Sequence, residues 1–486
     1  MDGSADDGGV ICACEAPPEC QVVGCLDGVC QPPVPADDWA ACGPAGERSC
    51  VDGACSYDVC GDRYREPGPD PAREACDDGN GATGDACSPD CTPTVLVIDS
   101  QPEQQALPAT VSVAADDAGR LLFVWTATTT PSVGEPQLEL LARRYNAAGV
   151  DQDMGAHLTL DGSLGIGWDP HAAVVGLANG WAVVWAAQDG DSSEAGIRYV
   201  VIPPTGAAPT SRRANQYQLG RQAAPAAART TTGFLLAWAD ESGTVTIPGD
   251  SRLRMRSFDP TGRALADEAA LSPDGTSARG LALASDGDRV LALWSQDPAP
   301  PLLRPILVGQ RLGGAGPDAS PFTISDVDGA EPNAAVLATG DFAVAFVSRD
   351  ADPRGDIHAR LVHATGDPLT GTTEDALTFT PPMGTNVEET APQVLPLEAG
   401  YLVVYEDGGD STATPPRARG VLSVQVGAAT LPPELPTLAA YLQEGLQADV
   451  TLLRTSRGSW FAWSDAGSLG VAGAHRSFVA YLLPPP

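Results

Sequence analysis

The most regular feature of this sequence is a short, wholly apolar stretch that recurs along the chain from residue 121 onward. Each copy has four or five residues, begins one to three residues after a glycine and ends in an aromatic residue. The copies occupy residues 121–125, 181–185, 234–238, 290–294, 342–346, 401–405 and 460–463. A short apolar run that is rich in valine and aromatic residues predicts a strand buried on both faces.

Two further strands accompany each apolar stretch. An alanine- and valine-rich segment precedes it, as at residues 171–177, 223–228 and 279–284, and a strand that usually contains arginine follows it after an acidic turn. The arginine-bearing strands are predicted at residues 141–146, 197–202, 252–259, 306–312, 357–363, 417–425 and 475–482. A weaker fourth strand leads to the next copy, so each period of 52–60 residues between terminal aromatics predicts one four-stranded unit.

A repeated four-stranded unit with small residues in its first strand is typical of a β-propeller, whose innermost strands crowd the axis. The seventh copy lacks a fourth strand, and we expect the apolar residues 94–99 to supply it and close the ring. The sequence thus predicts an all-β, seven-bladed β-propeller over residues 94–486, with six or eight blades as alternatives. It resembles the repeats of extracellular seven-bladed β-propellers.

All twelve cysteines lie between Cys12 and Cys91, before these repeats begin. Dense cysteines in a short segment indicate a disulfide framework or a metal cluster. This segment has no C-x-x-C pair and no histidine, so disulfides in an oxidising compartment are the better interpretation. We divide the chain into a flexible acidic arm (1–11), a disulfide-rich segment (12–59), a cysteine-rich repeat (60–93) and the propeller (94–486). The pattern C-x-D-G-x-C occurs twice, at residues 25–30 and 50–55.

The segment from Cys60 to Cys91 contains the motifs CGD, CDDGN and GDACSPDC. It closely resembles a short cysteine-rich repeat that occurs in many copies in secreted proteins of myxobacteria and related bacteria, and it is similar to the calcium-dependent Notch-type repeats. It departs from the family pattern at Arg63 and Ala86, where the family has glycine, and by an insertion around residues 69–73. The resemblance implies an extracellular module used for interaction or spacing.

Four oxygen-bearing side chains lie close together in this repeat: Asp77, Asp78, Asn80 and Asp85. Cysteines flank them on both sides, and hard oxygen donors in such a pinned loop suit Ca²⁺. The alternative is that these residues form hydrogen-bonded turns in a glycine-rich loop. The first interpretation predicts a calcium ion as cofactor.

The charge of the chain restricts its partners. The formal net charge is −35, and all 28 basic residues are arginines. Such a chain repels nucleic acid and anionic membrane surfaces, so neither is an expected partner. The sequence contains no apolar run long enough for a transmembrane helix. We expect a secreted or cell-surface protein in which residues 2–9 form a tether after a removed leader or a lipid anchor.

The turns after the apolar strands are acidic in most copies. In a propeller these loops lie beside the axis on the face that usually binds ligands, so we expect a rim of carboxylates for metal ions or a cationic partner. Its predicted members are Asp189, Asp191, Asp240, Glu241, Asp350, Asp352, Asp407 and Asp465. Asp-Gly and Asp-Ser are also ordinary hairpin-turn residues. The arginines of the third strands likewise have two interpretations: they line a groove for acidic sugars, or they pair with nearby carboxylates or lie along the blade surface with their apolar stems buried.

Common enzyme motifs are absent from the sequence, including H-E-x-x-H, G-x-S-x-G and a phosphate-binding glycine loop. We therefore assign no catalytic residue and expect a secreted or surface-anchored binding or scaffold protein, rather than an enzyme, whose propeller face binds an extracellular protein or a glycan. Two alternatives stay open. One is a secreted propeller enzyme, a lyase or hydrolase acting on polysaccharide, because residues drawn from several blades leave no local motif. The other is a structural subunit of an extracellular assembly.

Overall fold

The structure is a computed structural model of the chain, and it divides into two compact units, residues 1–94 with Pro486 and residues 95–485. In the first unit it describes short stretches between residues 20 and 56. In the second, apart from gaps of one or two residues, it describes residues 96–101, 110–129, 137–164, 171–188, 195–241, 252–273, 277–297, 305–325, 329–349, 355–363, 377–379, 389–407, 420–426, 446–466 and 476–483. Within these residues every regular element is a β-strand. No helix in them has the length and apolarity needed to cross a membrane.

In the first unit, each C-x-D-G-x-C pattern forms a β-hairpin with its two cysteines directly opposite each other, Cys25 opposite Cys30 and Cys50 opposite Cys55. An Asp-Gly pair between two strands favours the tight turn that such a hairpin needs. Cys20 and Cys30 are each disulfide-bonded, and the pairing of the cysteines stays a prediction. The strands of this unit are Gln21–Val22, Cys25–Leu26, Val29–Cys30, Val34–Pro35, Ala41–Cys42, Arg48–Val51 and Ala54–Ser56.

Among its described residues, the second unit contains antiparallel sheets, most of which have four strands, and we number them 1–7 in chain order. Sheet 1 contains Val111–Ala115, Leu121–Thr129, Gln137–Tyr145 and Leu158–Leu164; sheet 2 contains Ala172–Leu177, Gly180–Gln188, Ala195–Ile202 and Arg212–Arg213; sheet 3 contains Gln222–Thr230, Gly233–Asp240, Arg252–Phe258 and Ala269–Ala270. Sheet 4 contains Ala278–Ser285, Val290–Gln296, Ile306–Gly313, Gly316–Pro317 and Phe322–Ser325; sheet 5 contains Ala330–Val336, Phe342–Ser348, Asp356–Val362 and Leu377–Phe379. Sheet 6 contains Glu389–Pro396, Tyr401–Asp407 and Gly420–Val426; sheet 7 contains Leu446–Thr455, Gly458–Ala466, Arg476–Leu483 and Leu96–Gln101.

The first strands of these sheets form a closed ring. Each contacts the first strand of the next sheet, and Leu446–Thr455 of sheet 7 contacts Val111–Ala115 of sheet 1. Four-stranded sheets arranged radially in this way are a β-propeller. The strand expected at residues 94–99 is present as Leu96–Gln101 and pairs with Arg476–Leu483. The two ends of the unit therefore share one sheet, which removes an open edge between the first sheet and the last.

The second strand of each sheet is buried on both faces, as the continuous apolar runs predict. In Gly180–Gln188, alternate residues face opposite ways, so Trp185 packs with the core of sheet 1 and Val184 with that of sheet 3. The aromatic residues that end the apolar runs are buried: Trp125, Trp185, Trp238, Trp294, Phe346, Tyr405 and Trp463. Burial leaves the indole N–H in need of an acceptor. Trp185 donates to Asp161 Oδ2 of sheet 1 at 2.9 Å.

Arginines of the third strands hold neighbouring sheets together. Arg143 Nη1 donates to the carbonyl oxygen of Ile98 at 2.7 Å, and Arg256 Nη1 donates to that of Ala214 at 3.0 Å. Each acceptor belongs to, or directly follows, the last strand of the preceding sheet. Arg360 makes the equivalent hydrogen bond to sheet 4. These arginines thus make contacts between blades, which agrees with a structural role and not with a groove for acidic sugars.

Candidate functional site

The first strands of sheets 3–7 share a break in pairing near their N-terminal ends. Their register with the second strand shifts there, in sheet 3 between Ala223 and Ala226. In sheets 3–6 one residue at the break has a positive φ, and these residues are Ala224 (47°), Gly280 (62°), Glu331 (48°) and Ala391 (49°). β-Bulges of this kind are over-represented next to active sites, where they redirect a side chain.

Proline accounts for three of these bulges. Pro225, Pro332 and Pro392 each follow the residue with positive φ. Because proline has no N–H to donate to the ladder, regular pairing ends at that position. All the bulges lie at the end of the sheets where the first strand begins and the second strand ends, which we call the front face. The repeated bulge thus places irregular backbone around the ring axis at the front face.

Glu331 is the one charged residue among these positive-φ positions. Its Oε2 accepts a hydrogen bond from the backbone N–H of Ala391 in sheet 6 at 3.0 Å, and its Oε1 lies 3.5 Å from Arg349 Nη2. Its side chain is nevertheless 44% exposed. A non-glycine residue in the left-handed region costs free energy, and such residues cluster at functional sites. Glu331 is therefore a carboxylate that is held in one place and still open to a ligand.

Polar residues behind Glu331 keep sheets 4, 5 and 6 in register. Asn333 Nδ2 donates to Gln393 Oε1 at 3.2 Å, and Asn333 Oδ1 accepts from the N–H of Val394 at 3.0 Å. On the other side, Ser295 Oγ donates to the carbonyl oxygen of Gly329 at 2.6 Å. These bonds fix the bulge of sheet 5 against both neighbours. The backbone that carries Glu331 is consequently supported from both sides, as a precise site requires.

A second carboxylate lies at the front face of sheet 4. Asp297 directly follows the strand Val290–Gln296 and forms an ion pair with Arg279 of the first strand. Both side chains are exposed, Arg279 to 62% and Asp297 to 40%. The front face of the neighbouring sheets 4 and 5 therefore presents two accessible carboxylates, each beside a guanidinium group.

Sheet 3 differs, because its acidic residue points inward. Asp240 ends the second strand, and its residue is only 1% exposed. Its Oδ1 accepts a hydrogen bond from Gln222 Nε2 at 3.1 Å, and its Oδ2 is paired with Arg254 Nε. Gln222 in turn accepts from Asn215 Nδ2 at 3.0 Å. Asp240 thus belongs to a buried network that joins sheet 3 to the segment preceding it.

Glu268 completes this network from the outer side. Its Oε1 lies 3.2 Å from Arg254 Nε, and its Oε2 accepts from the backbone N–H groups of Gln216 at 2.6 Å and Tyr217 at 3.2 Å. The Glu268 side chain has no exposed surface. Burial raises the pKa of Glu268 above its ordinary value, although the two N–H groups and Arg254 act in the opposite direction.

We expect Glu268 to make the folded protein more stable as the pH falls. Because its pKa is raised in the fold, this contribution is fully present below the ordinary pKa of 4.5 and is lost as the pH rises through the raised value. The variant Glu268→Gln lacks this titration. The melting temperature of the wild type minus that of the variant should therefore increase as the pH is lowered from about 7 to about 4.

Asp117 provides a control of opposite sign. Its hydrogen bond with Arg229 lowers its pKa below the ordinary 3.8, so its contribution is present above that value and lost as the pH falls through the lowered one. Both side chains are about half exposed, which keeps the effect below about 1 kcal/mol. The wild type should lose its advantage over Asp117→Asn in acid. Parallel pH profiles for the wild type and Glu268→Gln would contradict the assignment to Glu268.

The structure describes only part of the predicted acidic rim. Asp240 is buried, and Glu241 follows it at the front face, partly exposed. Asp407 and Asp465 lie in the second strands of sheets 6 and 7, and only their backbone is described. Outside the described residues are Asp189, Asp191, Asp350 and Asp352 of the rim and Asp77, Asp78, Asn80 and Asp85 of the calcium prediction. Among the described residues no cluster of side chains is suited to hold a metal ion.

The sequence reasoning missed Glu331 and Arg349 because it concentrated on the turns after the apolar strands. The usable signal was a proline that recurs about ten residues before several of these strands, as Pro225, Pro332 and Pro392. A proline inside a predicted strand marks a bulge or an edge. The residue before the proline is the one that the bulge turns outward.

No protein-family profile and no curated protein matches this sequence. Among solved structures, it is similar to a puromycin hydrolase (18% identity, TM-score 0.43, 76% of this chain), of whose own chain the match spans about half, 53%. It is similar to the polysaccharide lyase Uly1 (10% identity, TM-score 0.46, 79% of this chain and 92% of the other). It is also similar to an α-L-arabinanase of Penicillium chrysogenum complexed with arabinobiose (14% identity, TM-score 0.41, 80% and 99%).

These similarities correct the functional expectation drawn from the sequence. Further similar structures are a family-43 glycoside hydrolase, an α-L-arabinofuranosidase from Lactobacillus brevis and an endo-arabinase from Bacteroides thetaiotaomicron. Most of these structures are glycoside hydrolases or a polysaccharide lyase. This finding contradicts the main expectation of a binding or scaffold protein rather than an enzyme, and it agrees better with the alternative of a propeller enzyme acting on polysaccharide.

Proposed function

We propose that this protein is a polysaccharide-cleaving enzyme, that its sheets 1–7 are the blades of a seven-bladed propeller, and that its active site lies around the ring axis at the front face. The observation that carries the proposal is Glu331. An exposed carboxylate stands there on a strained bulge and is held by the Ala391 N–H at 3.0 Å and by Arg349 at 3.5 Å. Strain of this kind is retained where the surrounding structure enforces it for function.

The proposed chemistry uses carboxylates from neighbouring sheets. Hydrolysis of a glycosidic bond needs two carboxyl groups, one to protonate the leaving oxygen and one to act on the opposite face of the sugar. We assign these two roles to Glu331 of sheet 5 and Asp297 of sheet 4, the accessible carboxylates at the front face of neighbouring sheets. Arg349 and Arg279 beside them are donors for sugar hydroxyl groups. Because the two acids come from different blades, no short sequence motif contains both of them.

Other parts of the proposal rest on the sequence. The cysteine-rich first unit and the charge of −35 favour a secreted or cell-surface enzyme whose partner is a glycan. The segment Cys60–Cys91 is proposed to be the extracellular repeat that it resembles, with Asp77, Asp78, Asn80 and Asp85 as calcium ligands. Neither proposal is needed for the chemistry at Glu331.

A panel of polymers tests the function. We expect the purified chain to cleave at least one of soluble arabinan, xylan, galactomannan, β-glucan, polygalacturonate and alginate, measured as new reducing ends. Ultraviolet absorbance of unsaturated products separates elimination from hydrolysis. A protein that melts cooperatively and yet releases no reducing ends from any polymer of the panel would overturn the proposal.

A further inference from the structure

Tyr217 is a large aromatic side chain left at the surface of the front face. It lies in the segment that joins the last strand of sheet 2 to the first strand of sheet 3, close to Gln222, where that strand begins. The residue is 53% exposed. The guanidinium carbon of Arg254 stands 4.1 Å from the centre of its ring, so a cation–π contact orients the ring.

The backbone under Tyr217 is held more firmly than an ordinary surface loop. Its N–H donates to the fully buried Glu268, and its carbonyl oxygen accepts from Nδ2 of the buried Asn215. Gln216 beside it exchanges hydrogen bonds with the two residues that precede the strand Ala269–Ala270: its Nε2 donates to Asp267 Oδ1 at 3.0 Å, and its Oε1 accepts from the N–H of Glu268 at 2.8 Å. Buried polar groups are thus used to present an exposed ring in one position. Such preorganisation reduces the entropy lost on binding.

We infer that Tyr217 is a binding platform for a sugar residue of the polysaccharide substrate, remote from the cleavage site. The C–H groups of a pyranose or furanose ring form an apolar face, and an exposed aromatic ring is the protein surface that complements it. Tyrosine gives a large contact area at a low cost in side-chain entropy. This inference rests on the proposed function, because a polymer that reaches both sheet 3 and Glu331 of sheet 5 is the expected occupant.

The charges around the platform favour a neutral sugar. Arg254 is already paired with Asp240 and Glu268, so its guanidinium has its carboxylate partners within the protein. The chain also carries a net charge of −35, which opposes the approach of a polyanion. An arabinan, a xylan or a galactomannan therefore fits the site better than polygalacturonate or alginate.

Affinity electrophoresis tests the platform. Each polymer of the panel is cast into a native gel, and the retardation of the variant Glu331→Gln is compared with that of the same chain carrying in addition Tyr217→Ala, Tyr217→Phe or Leu265→Ala. The Glu331→Gln background prevents cleavage during the run. Leu265 is the matched control, since it is 51% exposed and belongs to the turn of sheet 3 that faces away from the front.

We expect Tyr217→Ala to weaken binding of a neutral polymer roughly tenfold, as the loss of a central aromatic contact does. Tyr217→Phe keeps the ring and should bind within about twofold of the parent, as should Leu265→Ala. Equal retardation of the parent and Tyr217→Ala would overturn the inference, and so would a parent that binds only the acidic polymers or none of the panel. If the wild type cleaves a polymer and Tyr217→Ala does not change the retardation, the inference about Tyr217 is wrong and the proposed function is unaffected. If Tyr217→Ala reduces the retardation but the wild type cleaves no polymer, the proposed function is wrong and Tyr217 is still a sugar-binding residue.

Discussion

Replacing Gly176 by alanine is expected to destabilise the propeller by about 3 kcal/mol or more, a large part of the roughly 5–15 kcal/mol by which most domains are stable. Gly176 lies in the first strand of sheet 2. A Cβ at this position would be 1.7 Å from the carbonyl oxygen of Ala115 and 2.6 Å from its carbonyl carbon, both in the first strand of sheet 1. These are backbone atoms, so no side chain can rotate away.

Hydrogen bonds also hold the turn after Ala115 in place, so this turn does not readily move away from the added methyl group. Asp116 Oδ1 accepts from the N–H groups of Ala118 and Arg120, both at 3.0 Å, and the Asp117 N–H donates to the carbonyl oxygen of Leu177 at 3.2 Å. The added methyl group would therefore have to push sheets 1 and 2 apart at the axis. Urea unfolding followed by intrinsic tryptophan fluorescence measures the loss, and recovery of the variant only as insoluble protein would agree with it.

Gly162 is the matched control. It also lies in a strand, Leu158–Leu164, but a Cβ there would meet nothing within 4 Å. Gly162→Ala should change the free energy of unfolding by less than about 1 kcal/mol. If Gly176→Ala were as stable as Gly162→Ala, the close approach of the two inner strands would be wrong.

Replacing Glu331 by glutamine is expected to lower the rate of polysaccharide cleavage by about 10²–10⁴-fold, the usual contribution of a positioned acid or base. Glutamine has the same shape, and its amide oxygen can still accept from the Ala391 N–H. It carries no charge and transfers no proton under these conditions. The melting temperature should therefore stay close to that of the wild type while the release of reducing ends is lost.

Two variants separate chemistry from backbone strain. Glu331→Gly removes the carboxylate and relaxes the positive φ, because glycine adopts that conformation readily. It should fold and be as inactive as Glu331→Gln. Asp288→Asn removes an exposed carboxylate from the opposite end of sheet 4 and should keep full activity. Near-normal cleavage by Glu331→Gln, with the fold intact, would remove Glu331 from the proposed site.

The repeat was predictable in detail because the burial of each strand determines the pattern of apolar residues in its sequence. A second strand that is covered on both faces must be apolar at every position, so 181–185 could be recognised before any partner was known. Its strand extends over Gly180–Gln188, longer than the apolar run, because the flanking residues also pair with the third strand, and two of them, Ala186 and Ala187, are buried in the core. The closing strand was found by counting, and it lies at Leu96–Gln101 with both ends two residues later than expected.

The candidate site was not predictable to the same degree. Asp240 and Glu331 are both acidic residues near the front face, yet one is buried against Arg254 and the other is exposed. Asp240 is buried because Gln222 contacts it directly and Arg254 pairs with both Asp240 and Glu268. Glu331 of sheet 5 is instead held by the backbone N–H of Ala391 in sheet 6, which leaves its side chain exposed. Such partners are brought together from segments tens of residues apart, and no local pattern encodes their distance.

The sequence by itself determined the class of fold, its repeat, the order of its strands and the strand that closes its ring, because these follow from hydrophobic periodicity along the chain. Only the tertiary structure decided which carboxylates are buried, which arginines join sheets and where the backbone turns outward at Glu331. Those features depend on contacts between neighbouring sheets. The free energy of such a contact depends on both residues and on the distance between them, so neither residue's position in the sequence predicts it.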